Sequence, residues 1–206
     1  MATTTPNYGW AVPTSTDLVK NGATAIETLG DSIDASMFTA LGTKKAGLVL
    51  LSTTTFTGVT SISLPANTFS ATYDNYRIIV CGSSAAGSTT LRFRTSGVDN
   101  STASYQRQYI DATSTSVAGN RATGATSISS MELQTTANGS ILVFDVFNPF
   151  LSQPTGLVNV STLLTTGIYL NLLTGAFSGS TSFDSLSLIQ SSGNIAGVIS
   201  AYGYNK

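Results

Sequence analysis

From residue 47 to the C-terminus, apolar and hydroxyl-bearing residues alternate in short segments separated by turn-forming residues. That two-residue period predicts β-strands with one buried face. The segments fall near 47–55, 58–64, 76–82, 89–95, 104–110, 125–134, 140–147, 157–164, 167–173, 184–190 and 195–204. Between them sit Asp74-Asn75, Gly97-Val98-Asp99-Asn100, Ala118-Gly119-Asn120, Asn138-Gly139 and Ser192-Gly193-Asn194, residue types whose short polar side chains or missing Cβ suit tight turns. Asn138-Gly139, between Met131-Glu132-Leu133 and Ile141-Leu142-Val143, reads as a hairpin. No helical period interrupts this region, so the crossover helices of a parallel sheet are missing. The pattern predicts an all-β, antiparallel β-sandwich with jelly-roll-like character over residues 46–206.

Residues 1–45 are of a different kind. Thr3 to Pro13 reads as an extended arm carrying Tyr8, Gly9 and Trp10. After the capping hydroxyls near Ser15 and Asp17, the apolar residues Ile26, Leu29, Ile33 and Met37 recur at spacings of three and four, which predicts a short α-helix with one narrow apolar stripe. A Trp in a short arm and a solitary helix are each marginal alone and pack on something else, whether their own domain, sister copies or another protein. Gly42-Thr43-Lys44-Lys45-Ala46 reads as the hinge between the two regions.

Composition changes the picture in three ways. Apolar residues make up 41% of the chain and charged residues only 9%, with a net charge of −1. Serine and threonine therefore solvate much of the surface, and the missing basic excess removes nucleic acid from the expected partners. All five arginines, Arg77, Arg92, Arg94, Arg107 and Arg121, precede residue 122, and residues 122–205 hold only Glu132, Asp145 and Asp184. Such charge depletion is characteristic of a subunit interface. Cys81, the single cysteine, lies in the apolar run Ile78-Ile79-Val80-Cys81 and reads as a small buried hydrophobe. No stretch has the length of a membrane span and Met1–Pro6 lacks signal-peptide blocks, so the expectation is assembly in a cytosol without membrane insertion.

The segment Tyr8-Gly9-Trp10 through Pro13, Asp17, Val19-Lys20, Gly22-Ala23, Ile26, Leu29 and Ile33-Asp34 resembles the start of many tailed-bacteriophage structural proteins, over about the first 35 residues. Tyr73-Asp74-Asn75-Tyr76-Arg77-Ile78 is similar to runs in phage β-sandwich tail and decoration proteins. The resemblance implies a virion structural protein assembled in the host bacterial cytoplasm, homotrimeric, of tail-fibre or appendage type. Its N-terminus would dock on other virion proteins of the tail, baseplate or capsid, and its β-domain would meet a host-surface glycan or protein. A capsid decoration (cement) protein is the alternative the same resemblance allows. Tyr8, Trp10, Ile26, Leu29, Ile33 and Met37 are the docking and oligomerisation candidates, since an aromatic arm and a striped helix suit capture in a groove.

Catalytic readings find little support. The chain has no histidine, which removes Ser-His-Asp triads, Cys-His pairs and His-ligated zinc. Phosphate-cradling glycine motifs are absent from the sequence, and no cofactor is expected. A sugar-cleaving appendage needs two carboxylates, and Asp74, Asp99, Asp111, Glu132, Asp145 and Asp184 supply candidates without a distinguishing spacing. Asp99-Asn100 and Asp111 have oxygen ligands for calcium but read as turn residues, so no metal is expected. Sugar binding without cleavage has a candidate face in Tyr105, Arg107 and Tyr109, which at a two-residue period also read simply as one side of a strand.

Overall fold

The computed structural model describes residues 3–14, 21–41, 47–113, 115–131, 133, 139–164 and 168–205. The chain divides into two compact units, Met1–Ala46 and Gly47–Lys206. In the first, strands β1 (Thr3–Thr4) and β2 (Ala11–Val12) pair antiparallel and are followed by helix α1 (Gly22–Leu41). The arm is thus a tight hairpin rather than an extended run. Gly9, at φ +66°, takes the left-handed conformation that lets the chain reverse, and the Thr5 N–H donates to the Trp10 carbonyl at 2.9 Å. Three hydroxyls along α1 are satisfied internally: Thr28, Ser32 and Thr39 each donate to the carbonyl four residues earlier at 2.8 Å. The expected cap at Ser15 and Asp17 and the hinge at residues 42–46 lie outside the described residues.

The second unit is all-β and antiparallel, as the alternation requires. Its strands are β3 (Leu48–Val59), β4 (Ser61–Ser63), β5 (Asn75–Thr95), β6 (Val98–Asp99), β7 (Tyr105–Thr113), β8 (Ser116–Ala125), β9 (Ile128–Ser129), β10 (Ser140–Phe147), β11 (Thr155–Leu164), β12 (Ile168–Phe177) and β13 (Ser185–Tyr204). They hydrogen-bond in the order β3-β13-β5-β10-β11-β12-β7-β8, with β4 on β13 and with β6 and β9 on β5.

The segments expected separately at 76–82 and 89–95 form one strand, β5, of 21 residues, and those at 184–190 and 195–204 form β13, of 20. A straight strand of that length would run about 70 Å, whereas a domain of this size is only about 40 Å across. The β5/β13 ribbon therefore folds over. The fold-over coincides with register shifts between Gln190, Ser192 and Ile195, each an extra residue that bends the ladder. The buried positions record it too: Tyr76, Ile78 and Val80 point inward before the bend, and Thr89, Leu91 and Phe93 after it, a change of parity that one inserted residue produces. The first half of β5 lies in a broad layer between β13 and β10, and the second half carries β6 and β9 in the facing layer.

Between the layers, rings of Phe93, Tyr105, Phe177 and Phe183 stack or meet edge-on with centroids 5.0–6.1 Å apart. These pairs tie β5 to β7 and β12 from across the sandwich, burying large apolar area in preferred aromatic geometry. Among the described residues β10 pairs with β5 and β11 and not with the segment around Met131, the partner expected for it across Asn138-Gly139. β10 is flanked by β5 and β11, so both of its edges are taken, and the Met131 N–H instead donates to the Thr89 carbonyl at 3.2 Å. Asn138 itself lies outside the described residues.

Candidate functional site

The docking candidates gather in the first unit. Tyr8 and Trp10 stack with ring centroids 5.0 Å apart, and the Trp10 indole N–H donates to the Ser36 hydroxyl at 3.0 Å, which lays the arm against the C-terminal half of α1. The indole is half-buried, yet Tyr8 stays 70% exposed. Along the stripe, Leu29 and Ile33 are partly covered, while Ile26 is 65% and Met37 53% exposed. Phe38, which the periodicity did not single out, is also exposed. Exposed aromatic and branched side chains beside a hairpin that clamps the helix make a pre-ordered apolar surface of the kind a partner groove receives.

The sugar-binding candidates do not form an open face. Tyr105 is wholly buried: its hydroxyl accepts the Phe93 N–H at 3.0 Å and donates to the Asn100 carbonyl at 3.1 Å. Arg107 and Tyr109 share that inward face, the guanidinium 4.8 Å over the Tyr109 ring and bonded to the Ser129 hydroxyl at 2.7 Å. The inward positions continue into an amide row in which the Asn159 amide donates to the Ser161 hydroxyl at 2.6 Å and to the Asn171 carbonyl oxygen at 3.2 Å, and Asn171 donates to Asp111. What faces solvent on β7 is the alternate set, and Gln106, Gln108, Arg121 and Thr174, together with Arg107 of the candidate set, line a shallow depression of 370 Å³.

Position-by-position reading missed the outward face of the broad layer. Cross-strand register aligns Ile79, Val143, Val160, Leu172 and Ile110 in one row. The adjacent row contains Val198, Cys81, Ile141, Leu170 and Val117. Cys81 is therefore exposed, not buried, because alternation turns Ile78 and Val80 into the core and leaves Ile79 and Cys81 outside. The charge depletion of the second half was the available signal, but register alone gathers these residues.

A third row carries the charges. Arg77 forks onto Asp145 through Nε–Oδ1 and Nη2–Oδ2 bonds of 2.8 Å each, and the Tyr204 hydroxyl donates to Asp145 Oδ1 at 2.7 Å. Burial pushes the Asp145 carboxyl up, but the hydrogen bonds from Arg77 and Tyr204 outweigh it and hold it below its ordinary value. A depressed carboxylate adds stability in full above its unfolded value near ~3.9 and loses it as pH falls through the lower folded value. The wild type should thus lose urea resistance between neutral pH and pH ~3, and Asp145→Asn should start lower and lose less; equal losses in both proteins would remove Asp145 from the acid response.

Among the described residues no cluster of three His, Cys, Asp or Glu side chains can hold a metal ion. Compared with known protein families, curated proteins and solved structures, the chain finds no match.

Proposed function

We propose that this protein is a non-enzymatic structural component of a bacteriophage particle, most closely a trimeric tail fibre or appendage. In this reading the N-terminal unit docks on the virion and the β-domain is displayed for attachment to the host surface. The observation that carries it is the apolar surface of the first unit, with Tyr8 exposed on the hairpin and Ile26 and Met37 exposed on the helix it is bonded to. The resemblance of residues 8–34 to phage docking segments points the same way. Attachment by such a module is non-covalent and gains strength from repetition of the displayed domain.

Deleting residues 1–46 should lower incorporation into particles at least tenfold while the strand signal in circular dichroism persists. Incorporation at the wild-type level would sink the docking role. The capsid-decoration alternative draws on the same surface and separates by copy number: few copies confined to the tail support the fibre reading, and hundreds over the head support the cement reading.

A further inference from the structure

Antiparallel sheets that face water on one side usually alternate apolar inward and polar outward. The broad layer of this sandwich does not. Its outward rows, centred on Val160 (45% exposed) and Leu172 (44% exposed), are as rich in branched aliphatic residues as a core strand, although the inward face already fills the core. Neither row contains a charge; the flanking row holds Arg77 and Asp145 as a mutually neutralising pair and ends on β8 with Arg121. A contiguous apolar surface of this kind on a folded domain marks a contact surface.

Size and charge point to one occupant. The layer is seven strands wide from β13 to β8, so at about 4.8 Å per spacing its face spans about 29 Å. Three outward positions per strand give it a height of about 20 Å and an area of about 600 Å², near the ~800 Å² that each partner contributes to an ordinary specific interface. The most apolar, charge-poor interfaces are those between copies of one chain. The two central rows carry no charge and so meet their own copy without like-charge repulsion, and β-branched residues on two sheets interdigitate at the usual ~10 Å separation. We propose that copies of this chain pack against one another, sheet on sheet, through this outward face, with Val160 and Leu172 at the centre and Cys81 inside the contact. This inference stands independently of the phage reading.

Cys81, the only cysteine of the chain, is a built-in probe, being exposed on the face when the chain is alone. The full-length chain is labelled with a charged maleimide across a concentration series while light scattering gives the mass of each sample. The expected result is labelling at least tenfold slower wherever the mass exceeds that of one chain, with Val160→Glu/Leu172→Glu restoring both fast labelling and a lower mass. The wild-type series needs no variant to be decisive. A chain that stays monomeric up to high concentration, or one that associates while Cys81 labels at the monomer rate, overturns the proposal. The second outcome leaves association through α1, and with it the proposed function, intact; a protected Cys81 in a protein absent from particles does the reverse.

Discussion

Replacing Tyr105 with alanine should cost the β-domain about 3–5 kcal/mol, the range for deleting a large aromatic side chain from a packed core. The ring is completely buried and touches Phe93 from the opposite layer and Phe177 from its neighbouring strand. Its removal opens a cavity between the layers and strands the Phe93 N–H, which the phenol oxygen accepts at 3.0 Å. Tyr105→Phe keeps the ring and strands only the polar groups, so it should cost about 1–3 kcal/mol. At roughly 2–4 °C per kcal/mol for a domain of this size, thermal unfolding should fall by about 6–20 °C for alanine and by about 2–12 °C for phenylalanine.

Burial also pushes the Tyr105 phenol up to about 12. A raised phenol contributes stability in full below its unfolded value near ~10 and loses it as pH climbs toward the folded value. The phenylalanine variant should therefore lose less stability than the wild type on going from pH ~9 to pH ~11. A Tyr105→Ala protein with unchanged melting would place the ring on the surface and reopen the sugar-binding role.

The contrast between Tyr105 and Cys81 shows how far the sequence could be read. Period-two alternation locates strands well where one face is buried, and β7, β10, β11 and β12 lie close to their expected places. It fixes which residues share a face without saying which face is covered. Tyr105-x-Arg107-x-Tyr109 has the composition of a binding face and turns inward; Ile79 and Cys81 have that of a core and turn outward. Ala118-Gly119-Asn120, expected as a turn, lies inside β8 for a related reason: as the last strand of its layer β8 is almost wholly exposed, so burial imposes no pattern on Ser-Val-Ala-Gly-Asn-Arg-Ala-Thr-Gly-Ala. The apolar outward face is a property of seven strands at once, and its rows come from register, which local sequence does not encode. The helix stripe was legible because spacings of three and four identify a helical face without any tertiary information.

The fold-over of the β5/β13 ribbon sets the second large effect. Two residues beyond the last register shift Gly82 and Gly197 stand directly opposite each other, and the two backbones approach more closely than side chains permit. A Cβ on Gly197 would meet the Cys81 carbonyl oxygen and lie 2.6 Å from Gly82 Cα, both backbone atoms that no side-chain rotation can move aside. Its φ of +156° is itself a conformation that residues with a Cβ rarely adopt. Overpacking of about 1–3 kcal/mol and backbone strain of similar size then act together, so Gly197→Ala should cost about 2–5 kcal/mol. Against a total stability of about 5–15 kcal/mol, much of the β-domain would unfold at moderate denaturant. Gly30→Ala is the internal comparison, since a Cβ there meets nothing within 4 Å and the residue lies within α1; alanine should strengthen the helix by up to about 1 kcal/mol. Urea titrations of the full-length chain measure both. Equal midpoints for Gly197→Ala and wild type would mean that the ribbon can open at Gly82 without cost, and that the close glycine contact does not need a residue without a Cβ.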